Sequence, residues 1–193
     1  MAITTEQIKE LRDKTGISVM QCKKALEEAG GDMEKAVIIL RKAGAASAAK
    51  KSDRSLGAGV IASYIHGTGT VGVMVELGCE TDFVSGNAEF KAIAYDIAMH
   101  IAASNPEFIS SEQINEADKV KASEVFAKEV EGKPENMKAQ ILEGKLAAYF
   151  KERVLMDQPF IKNPEITVGD LVNGAVQKFG EKTQIVRFTR YAI

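Results

Sequence analysis

Every second residue between positions 71 and 77 is aliphatic, and this alternation constrains the fold more than any other feature of the chain. Successive side chains of a β-strand point to opposite faces of a sheet, so residues 70–79 are predicted to form a strand with one buried face. A partner strand is predicted at residues 59–66, because Gly67, Thr68 and Gly69 supply the chemistry of a hairpin turn. The segment therefore predicts an antiparallel hairpin.

Two strands alone are only marginally stable, so the sheet needs a third strand and a helical cover. Residues 183–192 are the candidate strand. Phe90, Ile93, Ile97 and Ile101 lie at helical spacing and predict a covering helix that ends at Asn105-Pro106. His100 follows Ile93 by seven positions and shares this apolar face, which favours a hydrogen-bonded core histidine.

The first 54 residues carry the signals of three short helices. Thr4 and Gln7 have the spacing of a capping box. Ser18 and Gln21 repeat that spacing, and Asp32 is placed to cap a third helix. The short joints predict a compact bundle, and the sequence GGDMEKAVIIL resembles a ubiquitin-associated (UBA-like) docking module. A helical cap on the larger domain is the alternative interpretation.

Gly44 is predicted to end the third helix, and residues 45–59 are predicted to form a small, polar and basic linker. We therefore divide the chain into an N-terminal module with its linker, residues 1–54, and a core, residues 55–193. The predicted class is α+β: a three-helix bundle, then a three-stranded antiparallel sheet packed with helices and a projecting helical hairpin.

Residues 110–155 are predicted to form that antiparallel helical hairpin. Ser110 and Gln113 have capping-box spacing at its start, and residues 132–134 predict a stop and a restart. Apolar residues recur every four positions in both arms, at Ala122, Phe126 and Val130 and then at Leu142, Leu146, Phe150 and Val154. Residues 158–167 are predicted to return as an extended segment to a last helix.

The chain lacks the residue patterns of most enzymes. It contains no phosphate-binding loop, since Gly180-Glu181-Lys182-Thr183 lacks the preceding glycine and the strand–loop–helix context. Its two histidines and two cysteines have no metal-ligand spacing. A Cys79–His100 dyad stays open, although no orienting group or oxyanion site accompanies it. We expect no catalytic residue, no metal and no cofactor.

Composition argues against further classes. The formal net charge of -2 argues against a dedicated nucleic-acid binder. No apolar stretch approaches the roughly 20 residues of a membrane span. The N-terminal residues resemble neither a secretion signal nor a transit peptide, and two isolated cysteines suggest no disulfide framework. We expect a cytoplasmic protein that binds neither membranes nor nucleic acid directly.

The TDFV corner, residues 81–84, lies between the predicted strand and the predicted covering helix, and it has two interpretations. In the first, Thr81 caps a helix, Asp82 favours the helix dipole, and Phe83 or Val84 forms a hydrophobic staple. In the second, an acid beside a large aromatic at an exposed junction contacts another protein. Both can hold, with Thr81 fixing the turn and the turn presenting Phe83.

Five stretches in order resemble the elongation factor Ts family, the guanine-nucleotide exchange factors of elongation factor Tu. They are TGISVMQCKKALEEAGGDMEKA at 15–36, CETDFV at 79–84, IAMHIAASNPEFI at 97–109, EGKLAAYF at 143–150 and QPFIKNPEITVGDLV at 158–172. The similarity runs nearly end to end, and several motifs in the right order are far more specific than any one alone.

The resemblance implies a mechanism and a set of contact residues. Asp82 and Phe83 would enter the nucleotide domain of elongation factor Tu near its magnesium site, with Thr81 and Val84 in the same corner. The implied secondary partner contacts are His100, Met99, Arg12, Val19, Met20, Lys23, Phe160 and Ile161. A factor of this kind accelerates GDP release without covalent chemistry, so it is not an enzyme.

The chain resembles the short members of that family. Longer members carry two related core subdomains, whereas one sheet–helix unit is found here. Short members compensate by dimerising, which implies a homodimer and a two-plus-two complex with elongation factor Tu. Two rival classes stay open: a UBA-type docking adaptor without exchange activity, and a thiol enzyme that uses Cys79.

Overall fold

The structure is a computed structural model that describes residues 3–130 and 134–193. It has an α+β fold in which three helices precede a three-stranded sheet and further helices cover the sheet. The predicted fold class is confirmed. Of the predicted stop and restart at 132–134, Gly132 and Lys133 lie outside the described residues. In the part of the chain that is described, no helix is both long enough and apolar enough to cross a bilayer.

The N-terminal module consists of α1 (Thr5–Thr15), α2 (Val19–Glu28) and α3 (Met33–Ala49). The predicted capping box of α1 is confirmed, because the Gln7 amide donates to Thr4 Oγ1 at 3.2 Å and the Thr4 amide donates to Gln7 Oε1 at 3.0 Å. Ser18 caps α2 and Asp32 caps α3. The side chains buried between these helices are Leu11, Ile17, Cys22, Ala25, Leu26, Ala36 and Leu40.

Gly44 does not end α3, contrary to the prediction, and the helix continues to Ala49. Gly44 is buried against the last helix, Val168–Phe179. A Cβ at Gly44 would lie 3.3 Å from Gln177 Oε1 and 3.4 Å from the Asn173 carbonyl oxygen. The missing side chain therefore permits close approach of two helices, and through this contact the N-terminal module packs against the core.

The core is built on an antiparallel sheet of β1 (Ala58–Ile65), β2 (Val71–Cys79) and β5 (Gln184–Ala192), in the order β1-β2-β5. All three predicted strands are confirmed. A separate pair, β3 (Pro159–Phe160) and β4 (Asn163–Thr167), forms within the segment predicted as an extended return. That pairing follows no local alternation of apolar residues, which is why the sequence pattern does not reveal it.

One face of the sheet is buried, as the alternation predicts. Val73, Val75 and Leu77 are at most 2% exposed. The short helix α4 (Asp82–Gly86) and the long helix α5 (Ala88–Ser104) follow β2, and α5 covers this face with a fully buried stripe of Phe90, Ile97 and Ile101. α5 ends at Asn105, whose φ of 47° is left-handed.

The helical hairpin consists of α6 (Glu116–Val130) and α7 (Glu135–Lys151), and α8 (Val168–Phe179) is the last helix. Phe126 packs edge-to-face on Tyr149 with ring centroids 5.6 Å apart, and Glu129 pairs with Lys145 at 2.5 Å. Later residues of α6 therefore contact earlier residues of α7, so the predicted antiparallel packing is confirmed.

Two details of the predicted hairpin are wrong. Ser110 precedes a short 3-10 helix (Ser111–Gln113) that Gln113 ends, and α6 begins later, where Asn115 and Asp118 exchange backbone-to-side-chain hydrogen bonds of 3.0 and 3.2 Å. Gln113 instead accepts the Ile109 amide at 2.6 Å, so a local bond replaces the predicted capping box. Val154 lies beyond the end of α7 and is buried as the bridge partner of Phe108, so a contact with the core outweighs the helical pattern there.

Candidate protein-docking site

The TDFV corner presents one apolar side chain to solvent and buries the next. Phe83 is 84% exposed, whereas Val84 is 4% exposed and belongs to the core cluster beneath the sheet. Consecutive residues of a helix point in directions about 100° apart, so anchoring Val84 turns Phe83 outward. The corner therefore exposes the aromatic ring of Phe83 next to the buried side chain of Val84.

The predicted contact of Val84 with another protein stays a prediction. Its side chain belongs to the core cluster that also contains Val75 and Phe90, and it offers almost no surface in this chain. Val84 anchors the corner, in keeping with the staple interpretation. Asp82 is exposed beside Phe83, and its carbonyl oxygen accepts the Ser85 hydroxyl at 3.1 Å.

Thr81 occupies the N-cap position of α4, but its side chain does not cap the helix as predicted. The hydroxyl donates to Glu181 Oε1 at 2.7 Å, and the Thr81 amide donates to Glu181 Oε2 at 3.0 Å. A hydroxyl that donates to a nearby carboxylate gains a charge-assisted bond, which is stronger than a neutral cap. Glu181 was missed in the sequence, because nothing local links it to residues 100 positions away.

Cys79 lies under the same corner and has the environment of a structural thiol. It is fully buried, and its Sγ donates to the Thr81 carbonyl oxygen at 3.2 Å. Burial raises the pKa of the Cys79 thiol, and the negative charge of Glu181 raises it further. The thiolate is the nucleophilic form, so these surroundings disfavour covalent chemistry at neutral pH.

His100 is a core residue with both ring nitrogens hydrogen-bonded within the chain. Nε2 lies 2.8 Å from Gln158 Oε1, and Nδ1 accepts the Ile161 amide at 3.2 Å. Because Nδ1 accepts, Nε2 carries the proton and donates to Gln158. Neither nitrogen is free to serve Cys79, so no dyad forms. Burial lowers the pKa of His100 and keeps the ring neutral.

The ring of His100 has no exposed surface in this chain, and its contact with a partner stays a prediction. The same holds for Phe160, which is 5% exposed and whose ring centroid lies 6.1 Å from that of His100. Ile161 is the exposed member of this region at 46%. The Ile161 amide donates a hydrogen bond to His100, and this bond fixes the β3–β4 turn that carries Ile161. Met99, the remaining predicted contact in this region, is half-buried on α5.

The predicted contact residues of the N-terminal module are all exposed. Met20 is 76% exposed and Val19 is 50% exposed, at the start of α2. Arg12 near the end of α1 and Lys23 on α2 are exposed as well, and Lys23 pairs with Glu27 at 3.8 Å. Two adjacent apolar residues are therefore exposed on a module that also exposes two cations, and exposed apolar groups of this kind are typical of protein-docking surfaces.

Lys178 on α8 connects the module to the helix that follows the corner. Its ammonium group pairs with Glu89 in the first turn of α5, and a Cβ at Gly16 would lie 3.4 Å from its Nζ. Partial burial lowers the pKa of Lys178, and the charge of Arg12 lowers it further. The α1–α2 joint and the start of α5 therefore meet at one ammonium group.

Within residues 3–130 and 134–193, no group of three or more histidine, cysteine or acidic side chains is arranged to hold a metal ion. The fold and the site define a class: an α+β protein that presents exposed apolar side chains on a helical module and at a corner of its core. Such surfaces serve recognition between proteins.

Comparison with known proteins identifies the family. The family model described as Elongation factor TS matches residues 20–193. The chain is 50% identical over 193 residues to elongation factor Ts of Carboxydothermus hydrogenoformans, covering 99% of this chain and 89% of that protein. It is 50% identical over 194 residues to elongation factor Ts of Thermodesulfovibrio yellowstonii, covering 100% and 97%. The chain belongs to the elongation factor Ts family, and its role is that of a translation elongation factor.

Proposed function

We propose that this chain is a guanine-nucleotide exchange factor that binds elongation factor Tu in its GDP form and promotes GDP release. In this proposal Asp82 and Phe83 insert near the magnesium and phosphate site of the partner. The observation that carries it is the TDFV corner, where Phe83 is 84% exposed while Val84 beside it is buried. A chain gains nothing for its own stability from exposing a phenylalanine, so the ring is available to a second protein.

The physical step is insertion of a rigid apolar group. Phenylalanine has two side-chain torsions and loses little entropy when it is buried. Its burial stabilises a complex by roughly 1.5–3 kcal/mol. GTPases hold the nucleotide phosphates through Mg²⁺ and backbone amides, so a small displacement at that site weakens several contacts at once.

Exchange then follows from linkage. If the factor binds nucleotide-free partner more tightly than the GDP form, GDP weakens the binding of the factor by the same ratio. Nucleotide leaves the ternary complex faster, and GTP refills the site. No bond of the nucleotide is broken, so we assign the chain no covalent chemistry.

The N-terminal module supplies a second contact in this proposal. Val19 and Met20 present exposed apolar side chains, and Arg12 on α1 and Lys23 on α2 add exposed positive charge. A patch of this kind fits an apolar surface with an acidic rim on the nucleotide domain of the partner. Ile161 on the β3–β4 turn is a smaller third contact, held in place from the core by His100.

The test is release of fluorescent GDP from elongation factor Tu by substoichiometric amounts of the chain. We expect Phe83→Ala to lose most of the acceleration and to leave thermal stability nearly unchanged, because the ring makes little contact within its own chain. Val125→Ala is the matched control, since Val125 is an exposed apolar residue of α6 at 60%. Full exchange activity of folded Phe83→Ala would show that the ring is not the inserted group.

A UBA-type docking adaptor without exchange activity is the second candidate, and the exposure of Val19 and Met20 favours it. Deletion of residues 1–54 is an unsuitable test, because α3 packs on α8 and its removal would uncover the core. Met20→Glu separates the candidates instead. An adaptor loses partner binding with Met20→Glu and keeps it with Phe83→Ala. An exchange factor loses acceleration with Phe83→Ala and keeps part of it with Met20→Glu.

We also propose a homodimer and a two-plus-two complex with elongation factor Tu. The support is the outer face of the sheet, opposite α5, where several large apolar side chains are exposed. They are Ile61, Ile65, Met74 and Tyr191, between 51% and 72% exposed. Glu76 and Arg187 pair on the same face at 2.6 Å. A two-fold axis would set opposite charges against each other and bury the apolar residues of both copies, so a second copy is the fitting occupant.

Light scattering coupled to size exclusion tests the oligomeric state. We expect a dimer that Met74→Glu dissociates, because it places a carboxylate in the middle of the apolar face. Val125→Glu adds the same charge on α6 and should leave the dimer intact. A monomeric wild-type chain would contradict the proposal.

A further inference from the structure

Glu181 holds the start of the TDFV corner by accepting three hydrogen bonds, two from Thr81 and one from the preceding Glu80. Its Oε2 accepts the amides of Glu80 at 3.1 Å and of Thr81 at 3.0 Å, and its Oε1 accepts the Thr81 hydroxyl at 2.7 Å. Two of the three donors are main-chain groups, so the carboxylate fixes the path of the backbone as it leaves β2. Charge-assisted bonds of this kind are shorter and stronger than neutral ones.

Glu80 in turn accepts a hydrogen bond from the segment that carries Glu181. Its Oε1 accepts the Lys182 amide at 2.5 Å and lies 3.2 Å from Arg54 Nη1. Hydrogen bonding from the Lys182 amide lowers the pKa of Glu80, and the Arg54 guanidinium lowers it further. We call this reciprocal pair, Glu80 and Glu181, the glutamate clasp.

The glutamate clasp also reaches the linker of the N-terminal module. Lys182 Nζ donates to the carbonyl oxygen of Ser52 at 2.6 Å and to that of Arg54 at 2.9 Å. Three segments far apart in the chain therefore share one hydrogen-bond network: the linker, the end of β2 and the loop before β5. The network joins the predicted docking module to the corner that carries Phe83.

The corner cannot hold its shape through local bonds alone. The helix α4 has 5 residues, and its N-cap residue makes no side-chain cap. Isolated helices shorter than about 12–15 residues are marginal in water, so α4 depends on what surrounds it. Val84 anchors one side chain in the core and Cys79 Sγ donates to the Thr81 carbonyl oxygen, but neither contact holds the backbone amides of Glu80 and Thr81. Glu181 holds both of these amides.

We infer that Glu181 is a positioning residue for nucleotide exchange: it fixes the TDFV corner so that Phe83 is presented in one orientation, in a set relation to the N-terminal module. This inference rests on the proposed exchange function and adds a residue that need not touch the partner. A preorganised corner inserts without first being ordered, and such preorganisation strengthens the bound state.

The test compares Glu181→Ala, Glu181→Gln, Thr81→Val and Thr81→Ser by the rate of GDP release at saturating factor. We expect the saturating rate to fall about tenfold in Glu181→Ala, and about threefold in Glu181→Gln and Thr81→Val, which each keep part of the network. Thr81→Ser keeps the hydroxyl and should restore the rate. Glu143→Gln removes the same charge on the exposed side of α7 and serves as the control.

The saturating rate separates positioning from a general loss of folded protein. A partly unfolded variant needs a higher concentration for half-maximal effect but reaches the same limiting rate. A mispositioned corner binds and then fails to speed release, so the limiting rate falls. If Phe83→Ala loses exchange while Glu181→Ala keeps the wild-type limiting rate, the positioning role is overturned.

Amide hydrogen exchange of the free chain tests the clasp without the partner. The Ser85 amide donates to the Thr81 carbonyl oxygen at 3.2 Å, and the Asn87 amide donates to that of Val84 at 3.0 Å. We expect both amides to exchange about tenfold faster in Glu181→Ala, with β2 amides unchanged. Unchanged rates would overturn the inference. A wild-type chain that fails to accelerate GDP release would overturn the exchange function and leave standing only the structural part of the inference, that Glu181 orders the corner.

Discussion

The TDFV corner exposes one large apolar side chain and the α1–α2 joint exposes two, but the two sites are supported in different ways. Phe83 is 84% exposed and Met20 is 76% exposed. Met20 follows Ser18, which caps α2, and Gly16, whose left-handed backbone ends α1. Phe83 depends on Glu181, 100 residues from Thr81 in the chain. Local bonds shape one docking surface and long-range bonds shape the other.

The difference has a physical consequence for each surface. Caps and turns form wherever their short segment folds, so the α1–α2 joint is expected to keep its shape when distant residues change. The corner is held by groups from β2, the α8–β5 loop and the core. A substitution in any of these three regions is therefore expected to change the orientation of Phe83. The following substitutions act on one surface and spare the other.

Core truncation should have the largest effect. Leu77→Ala in β2 and Leu26→Ala in α2 each remove a fully buried leucine, and each should lower the free energy of unfolding by about 2–5 kcal/mol, because a cavity remains. Urea unfolding measures this loss. In the folded state, Leu77→Ala should speed exchange of the Ser85 amide more than Leu26→Ala does. Equal acceleration would show that the two surfaces are not supported separately.

Overpacking between α3 and α8 should have the next largest effect. Gly44→Val brings carbon atoms against Gln177 and the Asn173 backbone, and should cost about 1–3 kcal/mol in thermal unfolding. The matched control is Gly174→Ala on α8, where an added Cβ meets no atom within 4 Å. This substitution should stabilise the chain by about 0.5–1 kcal/mol. Unchanged thermal stability of Gly44→Val would mean that the N-terminal module is not packed tightly on the core.

Removal of a hydroxyl should distinguish a helix cap from a long-range bond. Ser18→Ala loses the cap of α2, whose Oγ accepts the Gln21 amide at 3.4 Å, and should lower stability by about 1 kcal/mol. Thr81→Ala removes a donor to Glu181 and should change global stability by less than about 0.5 kcal/mol. Its effect should appear as faster exchange of the Ser85 amide. A global loss equal to that of Ser18→Ala would assign Thr81 to ordinary capping.

The smallest expected effect concerns His100, which should contribute to the loss of stability as the pH falls below neutrality. Burial lowers its folded pKa, whereas the unfolded chain has the ordinary value of about 6.5. As pH falls from about 6.5 toward the folded pKa, the unfolded state binds more protons, so stability is lost with acid. Melting temperatures at pH 7.5 and 5.5 should therefore differ less in His100→Gln than in wild type. His66→Gln, on the exposed hairpin, should keep the wild-type difference.

Local patterns predicted most of the fold. The alternation of residues 71–77 predicted the strand and its buried face, and the helical stripe from Phe90 predicted its cover. The capping box of Thr4 and Gln7 formed as predicted. These features depend on bonds between residues a few positions apart, whose geometry repeats from one protein to another.

Three of the errors share one cause, which is contact with a distant segment. Gly44 has the local signature of a helix end, but α8 requires a small residue there. Val154 continues a helical stripe, but its bridge to Phe108 takes it out of the helix. Thr81 has the residue type of a cap, but Glu181 offers a stronger acceptor.

The same division applies to the predicted docking site. Residue type and spacing marked Phe83 as a large aromatic next to an acid at a strand–helix junction, but they left the capping interpretation open, and insertion into a partner is what the family resemblance implies. The orientation of Phe83 is a different matter. It follows from the burial of Val84 and from the hydrogen bonds that Glu181 accepts from Glu80 and Thr81. The bonds to Glu181 form only when segments a hundred residues apart are brought together by hydrophobic burial. Short-range bonds therefore account for the elements, and long-range packing accounts for the direction in which Phe83 points.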